Sequence, residues 1–229
     1  MTRRLRRDEH GFTLVELLAA MAIGMVVLFG TFALLDLSVE SQAQTADRVD
    51  AVQRARRGMD QVTQRVRSIT CLVDDQPALL SAGDDELRFY SSLDAAPTGP
   101  QTEMQQRTLR WEAADDGRIV EDVYDGAWDP AVGDYTFAAV PTSRVVIEGI
   151  QPVAGTPMFT FERRRSDTVV PRVLAAPVAA ADLGSIGVVQ VTFAAAPRLL
   201  GRNTGSTLES RVLLRTDDPT DEDDVPECA

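Results

Sequence analysis

Between Phe12 and Leu35 the chain has 24 residues, of which only Thr13, Glu16 and Thr31 are clearly polar. No other feature so narrows what the chain can become. As a helix this run would be about 36 Å long at 1.5 Å per residue, enough to cross a hydrocarbon core of about 30 Å. Arg3, Arg4, Arg6 and Arg7 precede it, and no basic residue follows until Arg48. The positive-inside rule then places the N-terminus in the cytoplasm and everything after the span outside.

A cleaved secretory signal fits this N-terminus less well. Such a peptide has an apolar core of about 7–15 residues followed closely by a small-x-small cleavage site. This core is longer, and its late candidate, Ser41-Gln42-Ala43, lies well beyond it. A twin-arginine signal could begin at Arg3-Arg4, but the fit to the rest of that motif is poor. A plain single-pass anchor accounts for the length and leaves Glu16 unexplained. A carboxylate inside an apolar span costs about 2.5–3.5 kcal/mol near the helix centre and less near an interface. Snorkelling to the interface is the bland account of it; a functional partner is the sharper one.

Gly11-Phe12-Thr13-Leu14-Val15-Glu16-Leu17-Leu18, after a short basic leader, resembles the processing motif of type IV prepilins and type II secretion pseudopilins. The resemblance implies that a membrane aspartyl prepilin peptidase cuts between Gly11 and Phe12 and that the new Phe12 amine is N-methylated. A residue without a side chain at the scissile position lets a protease approach the backbone closely. It also implies that Glu16 meets the positive amine of a neighbouring Phe12 in a filament, where pairing the two charges sets register between subunits. One departure concerns the helix itself: many major pilins carry a proline where this chain has Ala33, so only Gly24 and Gly30 weaken the span.

After the span, residues 36–70 contain no proline, and Leu35, Val39, Ala46, Val49, Val52, Met59, Val62, Val66 and Ile69 recur at helical steps among charged residues. This predicts an amphipathic half-helix whose apolar stripe packs under a sheet. Beyond Cys71 come short β-prone runs parted by turn residues: Leu87 to Tyr90, Arg107 to Trp111, Ile119 to Tyr124, Arg144 to Ile147, Met158 to Glu162, Val188 to Phe193 and Leu208 to Leu214. Asp116-Gly117 marks a hairpin, since such a pair accepts positive φ. The predicted fold is therefore α+β and pilin-like, a long N-terminal helix packed against a mainly antiparallel sheet in a ladle-like form. The expected divisions are a leader at 1–11, a transmembrane half at 12–35, an amphipathic half at 36–70, a β-rich domain at 71–215 and an acidic tail at 216–229. The size, the element order and Arg57-Gly58-Met59-Asp60-Gln61-Val62 resemble the large minor subunits, the J-type of secretion systems and the W-type of pili.

Charge limits the partners. The chain carries −12, and the leader holds four arginines against Asp8 and Glu9, so the remainder carries −14. Such a surface repels phosphate backbones, and no direct nucleic-acid partner is expected. Cys71 and Cys228 suit one disulfide outside the cytoplasm and would be unrelated thiols inside it; the topology favours the bridge.

Catalysis finds little to work with. The single histidine, His10, sits in the leader, and there is no lysine, no phosphate-binding Gly-Lys-Ser/Thr loop and no CxxC. Carboxylate runs such as Asp84-Asp85-Glu86 read as solvated turns. The tail's carboxylates, Asp217 to Glu227, offer the oxygen ligands calcium prefers, and some members of the resembled family bind it near this end. The tail lacks EF-hand spacing, however, and otherwise reads as a solvated run of like charge. No other cofactor is expected, and no enzyme activity.

The chain is therefore expected to be a structural subunit, a minor pilin or pseudopilin anchored once in the inner (cytoplasmic) membrane and then carried into a filament. Its expected partners are the prepilin peptidase, the membrane, and major and other minor pilins or pseudopilins. The alternative is a single-pass membrane-anchored extracytoplasmic binding protein that never enters a filament. Whether such a filament serves secretion, adhesion, motility or DNA uptake is not written in the chain.

Overall fold

The computed structural model describes residues 13–72, 77–92, 104–114, 116–164, 173–198 and 205–214. Gly11, Phe12, Cys228 and the acidic tail lie outside them. The chain divides into two units, Met1–Ala46 and Asp47–Ala229.

Helix α1 runs from Leu14 to Arg67 and passes through both units. Its end tightens: the Ser68 amide donates to the carbonyls of Gln64 and Arg65, and the Ile69 amide to that of Val66. Ile69 then forms a bridge to Ser91, and the Thr70 amide donates to the Tyr90 carbonyl at 3.0 Å. The predicted helix therefore stops three residues short of Thr70, because sheet pairing takes over the backbone there. The buried stripe also differs from the predicted one. Leu35, Val39 and Val49 are exposed, and burial begins at Ala51, continuing through Ala55, Gly58, Met59, Val62 and Val66. Small residues open it so that the helix backbone can lie close to its neighbours.

The second unit holds two antiparallel sheets rather than the single sheet expected. The first contains β1 (Leu79–Ala82), β2 (Glu86–Ser91), β3 (Gln105–Glu112), β4 (Arg118–Asp129), β5 (Asp134–Phe137) and β6 (Thr142–Glu148). They follow one another in order from β1 to β5, with β6 paired to the first half of β4. The second sheet contains β7 (Ile150–Gln151), β8 (Phe159–Arg163), β9 (Val173–Leu174), β10 (Ile186–Ala195) and β11 (Thr207–Leu213), in the order β11-β10-β8-β9 with β7 also on β10. A 3-10 turn, Ala180–Ser185, leads into β10. The β3–β4 hairpin turns as predicted, through Asp116 (φ 64°) and Gly117 (φ 90°). A side chain at Gly117 would also overlap the Ile150 carbonyl oxygen, so this position requires glycine twice over.

One apolar core joins α1 to both sheets. Val62 and Val66 of α1, Leu87 and Phe89 of β2, Leu109 of β3, Ile119 of β4, Phe159 and Phe161 of β8, and Val189, Val191 and Phe193 of β10 are almost wholly inaccessible. Each contributes roughly 1.5–3 kcal/mol by burial. Gly58 sets how near α1 comes to β6, since a Cβ there would overlap the Ile147 side chain, 2.5 Å from its Cγ1 and 2.6 Å from its Cβ.

Candidate functional site: the apolar face of helix α1

From Thr13 to Ala46 every residue of the first unit is exposed. Leu14, Val15, Val26, Phe29 and Leu34 are each at least 70% accessible. The apolar part of α1 has a mean hydropathy of 2.4, and none of it is covered by the rest of the chain. Soluble monomers seldom expose an apolar patch beyond a few hundred Å². This surface is built for lipid or for other helices.

At its head Thr13 and Glu16 form a reciprocal cap. The Thr13 amide and hydroxyl both donate to Glu16 Oε2 at 3.0 Å, and the Glu16 amide donates to Thr13 Oγ1 at 3.3 Å. This is a capping box, a Thr-x-x-Glu pattern that satisfies helix N–H groups otherwise left without partners. The pattern is plain in Thr13-Leu14-Val15-Glu16, yet the apolar run after it draws attention to membrane depth instead. Glu16 is thus placed where its carboxylate faces the chain's own first turn. Of the processing pair, Gly11 and Phe12 lie outside the described residues.

A second constellation, in the globular unit, has no motif to announce it. Glu121 of β4 is fully shielded from solvent and takes hydrogen bonds from three arginines on three elements. Arg65 Nε of α1 donates to Oε2 at 2.8 Å, Arg144 Nε of β6 to Oε2 at 2.5 Å, and Arg107 Nη1 of β3 to Oε1 at 2.6 Å. Burial pushes the Glu121 carboxyl up, but the bonds from Arg144, Arg65 and Arg107 outweigh it and hold the group below the ordinary glutamate value. Beside it Asp122 is pushed up by burial and brought down further by Arg110 and Ser143. A carboxylate held ionised under three guanidinium groups has no proton to give, and full burial closes it to a substrate. Its chemistry is that of a joint between helix and sheet. Among the described residues no group of three or more His, Cys, Asp or Glu side chains is placed to hold a metal ion.

Cys71 is half-buried just past the end of α1 and packs against the core. Its predicted partner, Cys228, falls outside the described residues.

No curated protein and no solved structure matches the chain. Residues 6–32 match the family model for the prokaryotic N-terminal methylation motif. That stretch holds Gly11, Phe12 and Glu16 together with most of the exposed apolar run, which fits a membrane-anchored protein. The chain carries the signature of type IV pilins and pseudopilins, at the head of an α+β fold in which a long N-terminal helix packs against antiparallel sheets.

Proposed function

We propose that this chain is a minor pilin or pseudopilin, a non-enzymatic subunit of a type IV pilus or type II secretion-like filament. Prepilin peptidase removes residues 1–11, and Phe12 is N-methylated. The apolar half of α1 holds the subunit in the inner membrane, with its globular unit outside, until assembly exchanges lipid for neighbouring helices. The observation that carries this reading is the fully exposed apolar surface of Thr13 to Leu35 behind the methylation motif. Glu16 pairs with the Phe12 amine of a neighbour; before that, Thr13 supplies its hydrogen bonds, so the carboxylate is not left bare in the membrane. The extent of the β-rich unit favours a minor role, in initiation or at the tip, and no resident cofactor is needed.

The test is Glu16→Ala in the native host, read by mass spectrometry of the N-terminus and by filament recovery. The expected outcome is a mature chain beginning at N-methylated Phe12 that no longer supports assembly. Wild-type assembly by the variant would remove the charge-pairing role. An unprocessed wild-type chain that stays in the membrane would favour the anchored binding protein instead.

A further inference from the structure

The chain has three tyrosines and two tryptophans. Tyr90, Tyr124, Tyr135 and Trp128 lie on the same side of the six-stranded sheet. Register fixes this. Tyr90 pairs with Gln106 and Gln106 with Tyr124, while Trp128 pairs with Tyr135 and Gly126 with Phe137. Strand alternation puts these residues opposite to Leu87 and Phe89, which enter the core.

Four rings form a continuous row. Tyr90 stacks on Phe137 with centroids 5.4 Å apart, Phe137 on Tyr135 at 6.5 Å, and Tyr135 meets Trp128 edge-on at 5.2 Å. Gly126 makes the row flush: a Cβ there would sit 2.8 Å from Phe137 Cε1, so the ring lies across a position with no side chain. Trp128, Tyr135 and Phe137 are only half-buried, and β5 is the terminal strand of its sheet among the described residues.

Arg88 lies over the Tyr124 ring, 5.7 Å from its centroid, whereas the ribbon's own charge has one sign. From Ile119 to Ser143 there is no basic residue, and once Glu121 and Asp122 are discounted as internally paired, Asp125, Asp129 and Asp134 remain. They alternate to the reverse of the ribbon, so the strand pair that carries the rings is itself acidic. Asp134 is near enough to help burial raise the Tyr90 phenol. Aromatic faces attract cations, carboxylates on the same strands add to that attraction, and aromatic residues dominate binding energy at interfaces.

We infer that the β4–β5 ribbon is a docking surface for an extended, arginine- or lysine-bearing segment of another protein, laid along the half-exposed Phe137, Tyr135 and Trp128 rings beside β5, with buried Tyr90 backing the row. An extended segment is favoured because a terminal strand offers backbone pairing as well as side-chain contact.

The probe is an octapeptide of alternating arginine and serine, titrated into the full chain in detergent micelles. Trp111→Phe leaves Trp128 as the only indole to report by fluorescence, and calorimetry on the unsubstituted chain gives the affinity without that change. Binding should be about tenfold weaker in Trp128→Ala and in Asp129→Asn/Asp134→Asn. Asp84→Asn/Asp85→Asn, which removes the same charge from an exposed turn elsewhere, should leave it within about twofold. Equal weakening by that control would mean attraction to net charge only, and would overturn the assignment. So would no binding, equal binding of a glutamate–serine octapeptide, or binding of maltohexaose with the arginine peptide inert, which would make the row a carbohydrate surface.

Discussion

Arg65, in the last turn of α1, donates its Nε hydrogen to Glu121 of β4 at 2.8 Å across 56 residues of sequence. Glu121 is shielded completely and Arg65 nearly so. The ion pair therefore ties helix to sheet in a place where neither partner can turn to water. Removing one member of such a pair strands the other's charge.

Glu121→Gln should destabilise the globular unit by about 3–5 kcal/mol, since Arg65 and Arg107 would keep their charges under cover without a carboxylate. Denaturant unfolding of the full chain in micelles measures this. A loss below about 1 kcal/mol would place the pair with ordinary surface bridges.

Acid should act through the same group. Glu121 titrates below its ordinary value in the folded chain, so its contribution is fully present above that ordinary value and is lost as pH falls toward the folded one. Asp122 adds in the same direction. The gap in stability between wild type and Glu121→Gln should narrow as pH drops from 5 to about 3. A gap that stays constant over this range would contradict the linkage.

Gly58→Ala tests the approach of α1 to β6. Alanine is favoured over glycine inside a helix by up to about 1 kcal/mol, but overpacking typically costs about 1–3 kcal/mol. The new Cβ would overlap Cβ, Cγ1 and Cδ1 of Ile147, so the clash should prevail and the unfolding midpoint should fall. Gly58→Val, with two more methyl groups, should lower it further.

A bridge between Cys71 and Cys228 would appear in non-reducing peptide maps as one linked pair of peptides. Reduction should then cost about 2–4 kcal/mol of stability. Two separately alkylated peptides from the unreduced chain would exclude the bridge.

Much of this architecture can be read in the chain because period and burial agree. Leu109, Ile119, Val189 and Phe193 sit in strands where β-branched or aromatic residues alternate with polar ones, and Asp116-Gly117 names its own turn. Several elements carry no such pattern. Leu79–Ala82 is too short to show alternation, and Asp134–Phe137, close behind Pro130 and Gly133, reads as loop. Val49 lies on a helical period but is exposed, since what faces it is decided by strands far away in sequence. Glu121 is the hardest to foresee. A charged residue in a strand reads as solvent-facing, and only the fold brings Arg65, Arg107 and Arg144 to it from separations of 56, 14 and 23 residues. At the N-terminal site Glu16 stands out by its chemistry, whereas its bond to Thr13 shows only as a three-residue spacing.

The way α1 enters the globular unit bears on how that unit withstands force. Tension arriving along the helix at Asp47 cannot peel one contact at a time. Ala51, Ala55, Met59, Val62 and Val66 are buried on the same rod as Arg65, so an axial pull must slide all of them together. Close packing resists such sliding because every side chain must leave its niche at once. The joint is thus loaded in shear, the geometry in which many weak contacts share the load and none fails first.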